Sequence, residues 1–153
     1  MKKILLSQDK VVFVDDGDFD YLNQWSWNLG ADGYVRSKIN RKTIYLHRLV
    51  LDAKKGWTVD HISRNKLDNR RRNLRLCTRL DNSRNKSLQK NNTSGFKGVS
   101  WEKSRRKWSA HIYVNNKNKM LGRFSTATDA AEAYNQAARE AYGAFANLNR
   151  VVR

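Results

Sequence analysis

Val59-Asp60-His61-Ile62-Ser63-Arg64-Asn65-Lys66-Leu67-Asp68-Asn69-Arg70-Arg71-Arg72-Asn73-Leu74-Arg75-Leu76-Cys77-Thr78-Arg79-Leu80-Asp81-Asn82-Ser83-Arg84-Asn85 crowds a carboxylate, an imidazole, amides and arginines into one short stretch. Neighbouring residues in a strand point to opposite sides, so Asp60 and His61 suit a strand end or bend where both can turn toward one pocket. Thr78, followed three residues later by Asp81, has the pattern of a helix N-cap. Asn82 then falls in the first turns of a helix that can pack back on the Asp60–His61 strand, with Asn85 on the same face.

These residue types suit phosphodiester hydrolysis. That reaction needs a water deprotonated near neutral pH, charge neutralised on the phosphate, and a stabilised leaving oxygen, which a general base and a divalent cation can share. A carboxylate oxygen of Asp60 and an amide oxygen of Asn82 are hard donors, suited to Mg²⁺ or Mn²⁺ completed by water and phosphate oxygen. Cys77 is the only cysteine, which excludes an intrachain disulfide and a Cys-x-x-Cys structural zinc site.

On the N-terminal side, short β-rich runs alternate with turn signals: Lys10–Val14, the turn-like Asp15-Asp16-Gly17-Asp18, Trp25–Leu29, Gly33–Ile39 and Thr43–Leu46. This predicts a small antiparallel sheet with one hairpin across Asn40-Arg41-Lys42, and a short helix beginning at His47. His47 reads as a helix residue packing the motif, with an approach to the site as the alternative. On the C-terminal side, Arg84–Gly95 is polar and aperiodic and serves as a linker. Three strand-like runs follow, Phe96–Trp101, Trp108–Val114 and Lys119–Phe124. A helix then runs from an N-cap at Thr126 to a stop at Gly143, with Ala130, Tyr134, Ala137, Ala138 and Ala141 on one stripe. Trp108, Ala110, Ile112 and Val114 face that helix, leaving the other sheet face free.

The formal charge is +17 with an isoelectric point near 10.4. Residues 1–60 carry 10 basic and 8 acidic groups, residues 61–95 carry 10 and 2, and residues 96–153 carry 11 and 4. The basic excess therefore starts at His61 and points to a polyanionic partner, through phosphate neutralisation and counterion release. The apolar start Ile4-Leu5-Leu6 stops at Ser7, too short for a secretory signal, and no stretch approaches membrane-spanning length. The expectation is a cytoplasmic protein that binds nucleic acid and has neither a membrane nor a small-molecule substrate.

Residues 44–86 resemble the HNH, or ββα-metal, nuclease motif found among phage and intron homing endonucleases. The matching strings are Leu46-His47-Arg48-Leu49-Val50, Val59-Asp60-His61, Asn65-Lys66-Leu67-Asp68-Asn69-Arg70, Asn73-Leu74-Arg75 and Asn82-x-x-Asn85. The resemblance implies His61 as general base, Asp60 and Asn82 as metal ligands, and Asn73 as the residue orienting the imidazole. Lys54-Lys55-Gly56-Trp57-Thr58 lacks the prolines often seen before the motif. Arg70, Arg71, Arg72, Arg75, Arg79 and Arg84, clustered beside it, are expected on backbone phosphates, setting register without reading sequence.

Residues 93–149 resemble the DNA-binding domain of the plant APETALA-two and ethylene-response-factor proteins, through Gly95-Phe96-Lys97-Gly98-Val99, Lys107-Trp108-Ser109-Ala110-His111-Ile112, Leu121-Gly122-Arg123-Phe124, Thr126–Tyr134 and Ala144–Asn149. In that family a three-stranded sheet lies in the major groove with the helix behind it. The resemblance puts Lys97, Ser100, Trp101, His111, Tyr113 and Met120 on DNA, with Lys103 and Arg105 nearby. Several family arginines are replaced here, so the family's GC-rich preference does not carry over.

The fold class expected is α+β: an N-terminal sheet (1–46) leading into the nuclease motif (44–86), a linker (87–94), and a three-stranded antiparallel sheet on one helix (95–153). The function these resemblances imply is a site-specific, homing-type endonuclease of double-stranded DNA, monomeric or dimeric, working in the host cytoplasm if phage-encoded. A non-catalytic DNA-binding regulator with a degenerate nuclease fold is the alternative.

Overall fold

In a computed structural model, which describes residues 1–89 and 91–152, strands β1 (Lys2–Leu5) and β2 (Val11–Val14) pair antiparallel in the register Ile4↔Val12. Lys90 of the expected linker and Arg153 at the end of the expected C-terminal domain lie outside the described residues. The chain divides into two compact units, Met1–Ser83 and Arg84–Arg153, so the division precedes the expected linker by a few residues.

In the first unit the acidic run read as a turn is instead the start of helix α1 (Asp16–Leu22), with Asp16 and Asp18 in its first turn, where carboxylates favour the helix dipole. Phe19 and Leu22 of this helix pack on the core formed by Ile4, Leu6, Val12, Val14, Trp27, Val35 and Leu46. The strand expected over Trp25–Leu29 shrinks to β3 (Asn28–Leu29). Trp27 is held by burial and by its indole N–H donating to Leu22 O at 2.8 Å, which a continuous ladder would not allow to turn inward.

The hairpin is present as β4 (Val35–Ile39) and β5 (Lys42–Tyr45), turning through Asn40 and Arg41 at φ 50° and 64°, the double left-handed turn that suits strand twist. Helix α2 (Leu46–Val50) follows directly, burying Leu46, His47 and Val50. Strand β6 (Thr58–His61) pairs with β7 (Leu74–Cys77), and helix α3 (Arg79–Arg84) comes next. The loop between β6 and β7 is fastened to the edge of β2: Phe13 N–H donates to Leu67 O and Asn69 N–H to Phe13 O, both at 2.8 Å. The N-terminal strands thus serve as the wall on which that loop is shaped.

The second unit has β8 (Val99–Glu102), β9 (Lys107–Val114) and β10 (Lys117–Phe124) in the order β8-β9-β10, all antiparallel, with helix α4 (Ala127–Tyr142) on one face. Thr126 caps α4 by accepting the Asp129 N–H at 3.1 Å, and Gly143 ends it at φ 52°. Ala130, Ala131, Tyr134 and Ala138 are buried against Val99, Ala110 and Ile112. Ala141, expected on the inner stripe, is exposed, and Tyr142 takes the buried position. Gly98 permits the close approach of β8 to the helix: it has φ 73°, and a Cβ there would lie 2.2 Å from the Tyr134 ring. Among the described residues no helix is long and apolar enough to cross a membrane.

Candidate active site

His61 is the last residue of β6, and the strand ladder continues one step past it, with Ile62 N–H donating to Asn73 O at 2.8 Å. The polar loop that follows folds on its own amides. Asn73 is a strut across it: its Oδ1 accepts the Ser63 N–H at 2.9 Å and its Nδ2 donates to Asp68 O at 2.7 Å. Asn69, only 1% exposed, donates Nδ2 to Lys66 O at 2.9 Å, which turns its Oδ1 toward His61 Nε2 at 3.3 Å. Asn69, which was not singled out from the sequence, thus places an amide oxygen at the ring, while Asn73, expected to orient the imidazole, braces the loop between Ser63 and Asp68. Asn69 stood inside the quoted motif, but spacing alone does not tell which amide a folded loop turns inward.

His61 is buried in an aromatic surround. The His47 ring centroid lies 5.3 Å away and that of Tyr34 6.0 Å, while Tyr34 and Tyr45 flank His47 at 5.0 and 5.7 Å. Lys66 Nζ sits 4.0 Å above the Tyr34 ring and donates to Asp32 O at 2.7 Å. His47 thus does more than pack its helix. It walls the imidazole of His61, and its buried Nδ1 has no hydrogen-bond partner among the described residues.

Burial is the main cause that lowers the proton affinity of both rings. The positive charge each ring would gain near the other also opposes protonation of His47, which is pushed down to about 3. For His61 the Asn69 hydrogen bond and the Asp60 charge partly oppose a smaller downward shift. Both groups bind protons more readily when unfolded, so the stability they contribute is present above the ordinary imidazole value of 6.5 and declines as pH falls below it. For His47 the decline reaches about 1.4 kcal/mol per pH unit. Urea midpoints measured from pH 7 down to pH 4 should fall steadily, and His47→Phe should flatten the slope. A slope unchanged by the substitution would show that His47 is not the titrating group.

Asp60, opposite Arg75 in the β6–β7 register, is buried, and Arg75 is partly buried against it. Arg75 Nε and Nη2 donate to Asp60 Oδ2 at 2.8 and 2.6 Å. Asn82 is half-buried on α3, its backbone N–H bonded to Thr78 O at 3.1 Å, behind the expected Thr78–Asp81 cap, where Thr78 Oγ1 accepts the Asp81 N–H at 3.1 Å. Among the described residues no group of three or more His, Cys, Asp or Glu is placed to hold a metal. The donor chemistry here, one carboxylate and one amide oxygen, fits a hard cation that keeps most of its waters. A bound cation would have to share Asp60 with Arg75.

Three of the six arginines read as phosphate contacts are committed to carboxylates. Arg70 pairs with Asp68, Arg71 with Asp18 across 53 residues of sequence, and Arg75 with Asp60. Arg84 lies 4.7 Å over the Tyr142 ring, while Arg72 and Arg79 are exposed. In the second unit Lys97 Nζ donates to Arg84 O and Lys86 O at 2.5 and 3.1 Å, so this expected DNA contact fastens the chain before the sheet.

On the sheet itself, Ser100, Ser109, His111, Tyr113 and Met120 share the face away from α4, by strand alternation and the register Ser100↔Ser109 and Met120↔His111. Trp101 belongs to the other face with Val99, stacked edge-on against Trp108 at 5.1 Å, although 47% exposed. Lys103 and Arg105 occupy the β8–β9 turn. Arg105 pairs with Glu102 at 2.9 Å, and Arg123, not singled out from sequence, pairs with the same carboxylate at 2.6 Å.

Residues 45–84 match the profile of the HNH endonuclease family. A protein of Acanthamoeba polyphaga mimivirus named as an uncharacterized HNH endonuclease is 32% identical over 144 residues, covering 91% of this chain and 74% of the relative. Protein 3.8 of Escherichia phage T7 is 37% identical over 94 residues, covering 61% of this chain and 77% of the relative. No solved structure matches. With its matched profile spanning α2, β6, β7 and α3, the chain belongs to the HNH endonuclease family.

Proposed function

We propose that this chain is a site-specific, homing-type endonuclease that hydrolyses DNA phosphodiester bonds with His61 as general base and with Mg²⁺ or Mn²⁺ held by Asp60 and Asn82. The observation that carries this reading is the Asn69–His61 contact. Asn69 Nδ2 donates to Lys66 O and Oδ1 faces the ring, an arrangement that favours the tautomer with the proton on Nε2. The neutral imidazole then presents an unprotonated Nδ1, the state a base needs, and burial keeps it neutral below pH 6.5. The cation, when bound, neutralises charge on the scissile phosphate and stabilises the leaving oxygen.

Asn69→Ala should lower the nicking rate about 10- to 100-fold, as is usual when the residue orienting a functional imidazole is removed. Asn69→Asp should recover part of the rate, because a carboxylate can still accept from Nε2–H. Equal rates for wild type and Asn69→Ala in a single-turnover assay would remove Asn69 from the machinery.

The second unit supplies the address in this proposal. Its open face carries Ser100, His111, Tyr113 and Met120 on a ribbon of a width that fits the major groove. The test is to incubate supercoiled plasmid bearing the native locus with protein, in Mg²⁺ and in chelator. Mg²⁺-dependent nicking at one locus is expected. Binding without nicking would instead favour a DNA-binding regulator with an inert nuclease fold.

A further inference from the structure

Arg36 and Lys38 lie on the open face of the β3-β4-β5 sheet, since their neighbours Val35 and Ser37 are buried. Arg36 stands between Asn28 and Tyr45 in register, and Lys38 opposite Thr43. With Gln24 and the half-buried Trp25 they line a concavity of about 700 Å³. Among the described residues neither cation forms a salt bridge, in contrast to Arg70, Arg71 and Arg75.

Gly30 makes room for this arrangement. Its backbone is not in the left-handed region, so conformation does not demand glycine, yet a Cβ there would fall 3.0 Å from Arg36 Cζ and 2.6 Å from Asp32 Oδ1. The Asp32 carboxylate, which accepts the Tyr34 N–H at 3.1 Å, therefore lies near the Arg36 guanidinium without forming a salt bridge to it.

The same strand face continues into the candidate active site. Tyr34 precedes Arg36 by two residues and Tyr45 is paired with it, and these two rings border His47, with Tyr34 also facing His61. At about 3.3 Å per residue, Arg36 lies roughly 7 Å and Lys38 roughly 13 Å along the strand from Tyr34. Two cations that form no salt bridge, side-chain amides, a hydroxyl and an indole, aligned on a concave face ending at a general base, match the chemistry of a phosphodiester backbone. From this charge complementarity and continuity we infer that the face bearing Arg36 and Lys38 is a track for the backbone of the DNA duplex flanking the scissile phosphate. The inference rests on the nuclease reading above.

The test is fluorescence anisotropy of a labelled random-sequence duplex, in chelator so that no cleavage occurs, over a range of KCl concentrations. Each phosphate contact contributes about 0.9 to the slope of log affinity against log salt. Arg36→Gln with Lys38→Gln should reduce that slope by about 1.8 and weaken binding roughly thirtyfold at 0.15 M salt. Arg36→Lys with Lys38→Arg, which keeps both charges, should retain the wild-type slope and so separates charge loss from misfolding. Lys10→Gln with Lys55→Gln removes two charges elsewhere and should change it little. An unchanged slope in the Arg36/Lys38 glutamine variant, or equal losses in both glutamine pairs, would overturn the track. Wild type that binds with the expected slope but never nicks in Mg²⁺ fails the nuclease reading alone, and wild type that binds no duplex overturns both.

Discussion

Replacing His61 with Ala should lower Mg²⁺-dependent nicking about a hundred- to ten-thousandfold, the usual range for loss of a positioned general base, while duplex affinity stays at the wild-type value. In the proposed reading phosphate affinity comes from exposed basic side chains, whereas His61 is only 4% exposed at the end of β6. Removal of the ring leaves Asn69 Oδ1 without this partner, so some stability is lost as well. His61→Gln separates the two effects, because its amide can donate to Asn69 but cannot act as a base. Single-turnover nicking should be equally poor in both variants, with the thermal midpoint higher in His61→Gln. Substantial nicking by His61→Gln would place the base elsewhere.

Arg75→Met should cost about 3–5 kcal/mol of stability in chelator, because it removes the guanidinium that faces a buried carboxylate rather than breaking a solvated ion pair. Side-chain exposures of 16% for Arg75 and 6% for Asp60 put this pair well inside the range where the uncompensated charge governs the outcome. The same variant should recover more stability on addition of Mg²⁺ than wild type does, since a cation would meet a carboxylate no longer shared with the guanidinium. Urea midpoints with and without Mg²⁺ measure both effects. A loss below about 1 kcal/mol, the level of an exposed pair, would show that Asp60 is better solvated than its burial indicates.

Local chemistry was legible where a single residue carries the signal. Thr126 and Gly143 bracket α4, Asn40 and Arg41 turn the β4–β5 hairpin, and Asp60–His61 sits at the strand end that the two diverging side chains required. What was not legible depended on distant partners. Asp15–Asp18 reads as a turn by composition, yet Phe19 and Leu22 gain a core to pack on, and the helix wins. The pairing of Arg71 with Asp18, 53 residues away, is invisible in the sequence, where Arg71 reads only as a phosphate contact. Asn73 reads from the sequence as the amide that orients the imidazole, whereas the contact of Asn69 Oδ1 with the ring emerges only once the loop is paired with β2. His47 likewise shows its place beside His61 only once α2 is set against β6.

The most direct measurement is the single-turnover nicking rate of His61→Ala on supercoiled plasmid in Mg²⁺, with and without added imidazole. If a neutral imidazole next to Asp60 performs the proton abstraction, imidazole in solution should restore part of the lost rate, and chelator should abolish both the wild-type and the rescued activity. A variant that nicks as fast as wild type without imidazole would contradict the account.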